Sequence, residues 1–108
     1  MVTHQTELDS VFGALADPTR RRIVERLVKK RLTVNEIASG FSMSRPAVSK
    51  HLKVLEDCGI LTREVIGREH HCAIAPKAMR AAASWLERQE RYWNSVLDKL
   101  EKHLEKKT

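Results

Sequence analysis

Thr33-Val34-Asn35-Glu36-Ile37-Ala38-Ser39-Gly40-Phe41-Ser42-Met43-Ser44-Arg45-Pro46-Ala47-Val48-Ser49-Lys50-His51-Leu52-Lys53-Val54-Leu55-Glu56-Asp57 is the stretch on which the fold turns. Thr33 followed three residues later by Glu36 predicts a capping box, in which each side chain satisfies the other's backbone amide. Val34, Ile37, Ala38 and Phe41 then form the buried face of a short helix. Ser44 supplies a second N-cap, for a helix that ends near Asp57, with Gly59 as its C-terminal cap. Only Gly40 to Met43 separates the two helices, and so tight a joint reads as a helix-turn-helix. In that motif the second helix enters the major groove of DNA. The close crossing needs a small residue, and Ala38 is there. The second helix buries Val48, Leu52 and Leu55, and shows Arg45, Ser49, Lys50 and Lys53 on its polar side at spacings of three and four. No acidic residue lies between Glu36 and Glu56.

Upstream, Leu8, Val11, Phe12 and Leu15 follow helical spacing and predict a first helix. Asp17-Pro18 caps and opens a second one, which turns Ile23, Val24, Leu27 and Val28 inward. Its outer face is basic through Arg20, Arg21, Arg22, Arg26 and Lys29; the three leading arginines suit either backbone phosphate or plain solvation. Downstream the period changes. Ile60 to Ile66 and Glu69 to Ile74 read as two strands joined at Gly67-Arg68, a hairpin with Arg68 near its tip. A hairpin directly after the recognition helix makes the unit winged. From Pro76 to about Lys102 the pattern is helical again, with Met79, Leu86, Trp93 and Leu100 recurring every seven residues and Ala83, Leu97 and Leu104 beside them. Trp85, Tyr92 and Val96 add a second apolar flank. If one flank packs on the chain's own core, the other faces water, and an apolar patch of that size marks a partner surface. The four Gly and three Pro all read as boundary residues.

Composition narrows the function classes. With 108 residues the chain has the length of one domain, residues 1–108, and 42% hydrophobic content suffices for a core. No apolar run approaches a membrane span, and Met1 to Glu7 has neither the basic start nor the apolar stretch of a secretory signal. Cys58 and Cys72 cannot build a disulfide framework, and free thiols suit the cytoplasm. Lys plus Arg number 20 against 14 Asp plus Glu, a net charge of +6, with a pI near 9.7. A small basic domain of this kind points to nucleic acid as partner. No nucleophile elbow, phosphate-cradling glycine loop or carboxylate pair is present, so no enzyme activity and no cofactor is expected.

Several segments together resemble the ArsR family of bacterial repressors. Ser44-Arg45-Pro46-Ala47-Val48-Ser49-Lys50-His51-Leu52-Lys53-Val54-Leu55, followed by Gly59-Ile60-Leu61, is similar to that family's recognition helix. Phe12-Gly13-Ala14-Leu15-Ala16-Asp17-Pro18-Thr19-Arg20 resembles its opening helix and the junction after it. Gly67-Arg68-Glu69-His70 resembles its wing, and Trp85-Leu86-Glu87-Arg88 with Tyr92-Trp93 its last helix. The resemblance implies a mainly helical winged helix-turn-helix of about five helices with a small β-hairpin wing. It further implies a homodimer paired through the first and last helices, here residues Leu8, Val11, Phe12, Leu15, Leu86, Trp93, Leu97 and Leu100. Such a dimer binds double-stranded operator DNA and usually represses transcription. Many members of the family hold metals through cysteines before the turn; those positions correspond to Thr33, Asn35 and Ala38, which offer no thiolate. The last helix holds only His103, so the usual metal sites are not expected.

The candidate DNA contacts are therefore Ser44, Arg45, Ser49, Lys50, His51, Lys53 and Arg68. Ser44 also reads as a plain cap, and His51 suits either a phosphate or packing against a neighbouring helix. Lys50 and Arg45 can each read guanine or hold phosphate. A second reading adds a metal or thiol sensor built on Cys72 with His70 or His51. On a strand His70 and Cys72 share one face while His71 points away, and two ligands do not close a zinc site; a packed thiol explains Cys72 more simply. A third reading is a protein-interaction module using the winged helix and terminal helix. The sequence leaves any small-molecule effector open.

Overall fold

The computed structural model describes residues 4–106. Five helices and three strands follow one another as α1 (His4–Leu15), α2 (Pro18–Lys29), β1 (Leu32–Thr33), α3 (Val34–Ser39), α4 (Arg45–Asp57), β2 (Leu61–Ile66), β3 (Glu69–Ile74) and α5 (Pro76–Lys106). The caps read from the sequence are in place. Asp17 accepts from the Arg20 amide at 3.0 Å, with Pro18 at the start of α2. The Thr33–Glu36 box is closed in both directions, at 2.9 and 3.1 Å.

The arginines of α2 have structural employment that charge alone conceals. Arg20 Nε donates to the Ala14 carbonyl at 2.6 Å and Arg20 Nη2 to Gly13 at 3.3 Å. Arg21 donates to Leu15 at 2.7 Å. Together they satisfy the carbonyls that α1 leaves open at its end. Arg26 does the same for α3, reaching the carbonyls of Ile37 and Glu36. A Cβ at Gly40 would crowd that Arg26 guanidinium, so a larger residue there would displace the Arg26 cap. Gly13, expected at a boundary, lies inside α1.

The strands form one antiparallel sheet in the order β1-β3-β2. β1 adds an edge strand that the hairpin reading lacked, pairing Leu32 with Cys72 and Thr33 with His71. Two residues are too few for an alternation to show. The hairpin register pairs Ile66 with Glu69, leaving Gly67-Arg68 as a two-residue turn. Gly67 has φ +65° while, among the described residues, none other than glycine has positive φ, the sign pattern of a type II′ turn. Ile23, Ile37, Val48, Leu52, Leu55, Ile60, Leu61 and Cys72 make up the fully buried centre, beneath the sheet and between α2, α3 and α4.

α5 is 31 residues long, about 46 Å at 1.5 Å per residue. Its first turns pack on α1, where Phe12 meets Trp85 edge-on at 5.4 Å between ring centroids. The remainder projects from the body, and the radius of gyration is 18.5 Å against about 13 Å for a compact chain of 100 residues. Val28, expected inward on α2, is 65% exposed, outside the buried stripe of Ile23, Val24 and Leu27. Two further expectations change here. Beyond Trp85 both apolar flanks are open, with Tyr92 61% and Trp93 53% exposed, because the rest of the chain does not reach that far. Val11, expected at a subunit interface, is 3% exposed and belongs to the protomer's own core. No helix among the described residues is long and apolar enough to cross a membrane.

Candidate nucleic-acid interface

The amphipathic pattern of α4 decides what it can offer to a ligand. Val48, Leu52 and Leu55 are buried, which turns Arg45, Lys50 and Lys53 to solvent and leaves Ser49 half-covered. Ser44 caps the helix, its hydroxyl accepting from the Ala47 amide at 3.3 Å. Arg45 and Ser49 line a concavity of about 200 Å³ together with Thr33, Val34 and Asn35 at the start of α3, Arg63 of β2, and Arg68, Glu69 and His70 at the wing tip. The start of the recognition helix and the tip of the wing thus share one hollow. Three guanidinium groups surround it against the single carboxylate of Glu69, and so small a basic recess concentrates positive potential.

The remaining candidates lie around this hollow in different ways. Lys50 is exposed and, among the described residues, makes no hydrogen bond or ion pair. Lys53 is tied to Asp57 at 2.8 Å. The hydrogen bond it donates to Asp57, then the charge of that carboxylate, pushes the Lys53 ammonium above the ordinary lysine range. His51 faces the start of α2, with Nδ1 3.3 Å from an Arg20 guanidinium nitrogen and 3.8 Å from Asp17 Oδ2. Arg20 can only donate, so in that hydrogen bond Nδ1 is the acceptor. Of the two roles open to His51, packing at the α2–α4 joint is the one these contacts describe.

Arg63 is the residue that sequence reading passed over. Strand alternation puts it on the same side of β2 as the buried Leu61, so a cation at an inward strand position was the available signal. His70 and Asn35 also join the hollow only through the tertiary fold.

The sulfurs are differently placed. Cys72 is fully buried, and burial pushes its thiol up, away from the thiolate a sensor would need. Cys58 is half-buried and its thiol donates to the Leu55 carbonyl at 3.3 Å. His71 sits 3.4 Å from Glu69. Among the described residues no three His, Cys, Asp or Glu side chains gather as a metal site.

Residues 17–63, spanning the caps, the helix-turn-helix and the first half of β2, match the profile of the bacterial regulatory proteins of the arsR family. The HTH-type transcriptional regulator Rv2034 of Mycobacterium tuberculosis is 39% identical over 89 residues, covering 82% of this chain and 80% of that protein. The chain belongs to the ArsR family. This ArsR-family protein is a winged helix-turn-helix, DNA-binding transcriptional regulator. Its fold is similar to that of an ArsR-like transcriptional regulator from Rhodococcus sp. RHA1, with TM-score 0.74 and 32% identity over 91% of this chain and 92% of the other. It is also similar to the homodimeric winged helix-turn-helix DNA-binding domain of Mb0332 from Mycobacterium bovis, with TM-score 0.64 and 24% identity over 80% and 82%.

Proposed function

We propose that this ArsR-family regulator is a cytoplasmic homodimeric repressor that binds an imperfectly palindromic operator and has no catalytic step. One observation carries the reading: Arg45 and Ser49 of the recognition helix and Arg68 of the wing line one basic hollow, next to an exposed Lys50 on a helix face free of acids until Glu56. Lys50 and Arg45 supply base or phosphate contacts, Ser44 and Ser49 donate to the backbone, and Arg68 reaches the minor groove or flanking phosphate. Lys53 joins them by leaving Asp57, a surface pair that costs little to break. His51 holds the helix at its angle to α2.

Dimerisation supplies the second half of the operator. Leu86, Trp93, Leu97 and Leu100 are each about half exposed along α5, too much apolar surface in one row to leave in water. Leu8, Phe12 and Leu15, half-buried on α1, extend that row across the two-fold axis. The domain of similar fold from Mycobacterium bovis is itself homodimeric, which supports a dimer here without bearing on which helices pair. Selection of bound sites from random duplex DNA with the purified protein tests the proposal. An enriched imperfect palindrome, outcompeting its scrambled version, is the expected result; a pool that stays random sinks it.

A further inference from the structure

The strongest unexplained feature is the guanidinium of Arg63. Its side chain is 21% exposed, and Nε is buried with no hydrogen-bond partner. Glu56 Oε2 is the nearest carboxylate oxygen, at 3.7 Å from that nitrogen, too far for a hydrogen bond. Across the sheet its paired residue is Cys72, whose neutral buried thiol offers no countercharge. The charge is answered only by that 3.7 Å pair with Glu56, and an unsatisfied buried donor asks for a missing acceptor.

Arg63 also lines the basic hollow, and the chemistry of that hollow indicates the kind of acceptor its guanidinium would take. Arg45, Arg63 and Arg68 surround about 200 Å³, with the Ser49 side chain beside them and Glu69 as the one acid. Guanidinium presents its donors in a planar fork matched to two oxygens of one phosphorus, and it stays charged at every relevant pH. We propose that Arg63 is a phosphate-binding residue, holding one phosphate in the hollow between the recognition helix and the wing. The inference rests on the reading of that face as the DNA interface, and deepens it. Arg63 differs from the other cations in being held by the sheet before the ligand arrives, so little side-chain freedom is lost on contact. The carboxylate of Glu56 competes with the phosphate for the same guanidinium.

The phosphate belongs either to the duplex backbone or to a free anion, and one set of titrations separates the two. Wild type, Arg63→Gln and Glu56→Gln are titrated with the selected operator and with scrambled duplex across a salt series, beside thermal unfolding of each protein. Inorganic phosphate is titrated into the DNA-free proteins and followed by its phosphorus resonance. For a backbone phosphate, Arg63→Gln lowers the salt slope by about one and weakens both duplexes alike, while Glu56→Gln binds as tightly as wild type or tighter. For a free anion, the slope is unchanged and inorganic phosphate saturates wild type but not Arg63→Gln. An unchanged slope without saturable phosphate binding overturns the inference. So does a Glu56→Gln loss equal to that of Arg63→Gln, since the pair would then merely brace the wing. Should Arg63→Gln fail to fold, Glu56→Gln decides alone: tighter duplex binding than wild type supports the inference, and equal or weaker binding overturns it. Wild type that binds no duplex would reject the DNA reading itself, and the phosphate titration would then judge Arg63 alone.

Discussion

Leu52 and Lys50 lie two residues apart on α4 and do opposite work. Leu52 is fully buried at the centre of the core, whereas Lys50 is exposed and unpaired among the described residues. Truncating Leu52 to alanine should cost about 2–5 kcal/mol of stability, since both transfer energy and a cavity are involved. Lys50→Ala should change stability by no more than about 0.5 kcal/mol, yet weaken operator binding by about 1–3 kcal/mol if the ammonium reads a base. Urea unfolding and an operator titration on the two variants give both numbers. If the two effects exchanged places, the orientation assigned to α4 would be wrong. Both residues were legible from spacing alone, because a helix with Val48, Leu52 and Leu55 inward has only one way to face. Arg20 and Arg26 were not legible in the same way. A guanidinium that caps another helix looks in sequence like any surface cation.

At the scale of elements, two helix starts depend on ionised carboxylates. The Arg20 amide holds Asp17 below the ordinary carboxylate range, as the Thr33 amide and hydroxyl hold Glu36. A carboxylate depressed in the folded state stabilises it above the unfolded pKa and loses that contribution as pH falls through the folded value. Melting temperature should therefore drop below about pH 4, and Glu36→Gln should flatten part of that drop; a variant curve parallel to wild type would remove the capping box from the account. The wing makes a separate prediction. Arg68→Glu should lower DNA affinity more than Arg68→Ala in the same titration, because the added charge repels phosphate. Equal losses would mean that the hairpin tip stays clear of the duplex. The hairpin itself was readable from Gly67-Arg68 between two alternating runs. β1 was not, since it exists only as a partner for β3.

The whole molecule is shaped by α5, whose outer half has no covering within the chain. Replacing Trp93 and Leu97 by charged residues removes two half-exposed apolar groups without touching the core. Sedimentation should then report a monomer that keeps weak, salt-sensitive DNA binding and loses most operator preference, because one half-site supplies only part of the energy. A double variant that still sediments as a dimer would place the interface elsewhere. In the wild-type dimer the two recognition helices should select half-sites about 10 base pairs apart, centre to centre, or a multiple of that; protection of a single half-site would contradict the two-fold arrangement.

Local pattern determined the elements of this protein: the caps at Asp17, Thr33 and Ser44, the tight joint at Gly40 to Met43, the hairpin turn and the seven-residue apolar repeat are all written in spacings of a few residues. Those signals suffice for a winged helix-turn-helix because each element's buried face, once specified, leaves few ways to pack. The tertiary structure alone decided which side chains meet across elements. It drew Val11 into the core, turned His51 toward Arg20, and gathered Arg45, Arg63 and Arg68 around one hollow from a helix, a strand and a turn. Periodicity says which way a side chain faces on its own element; what it faces depends on how the elements pack.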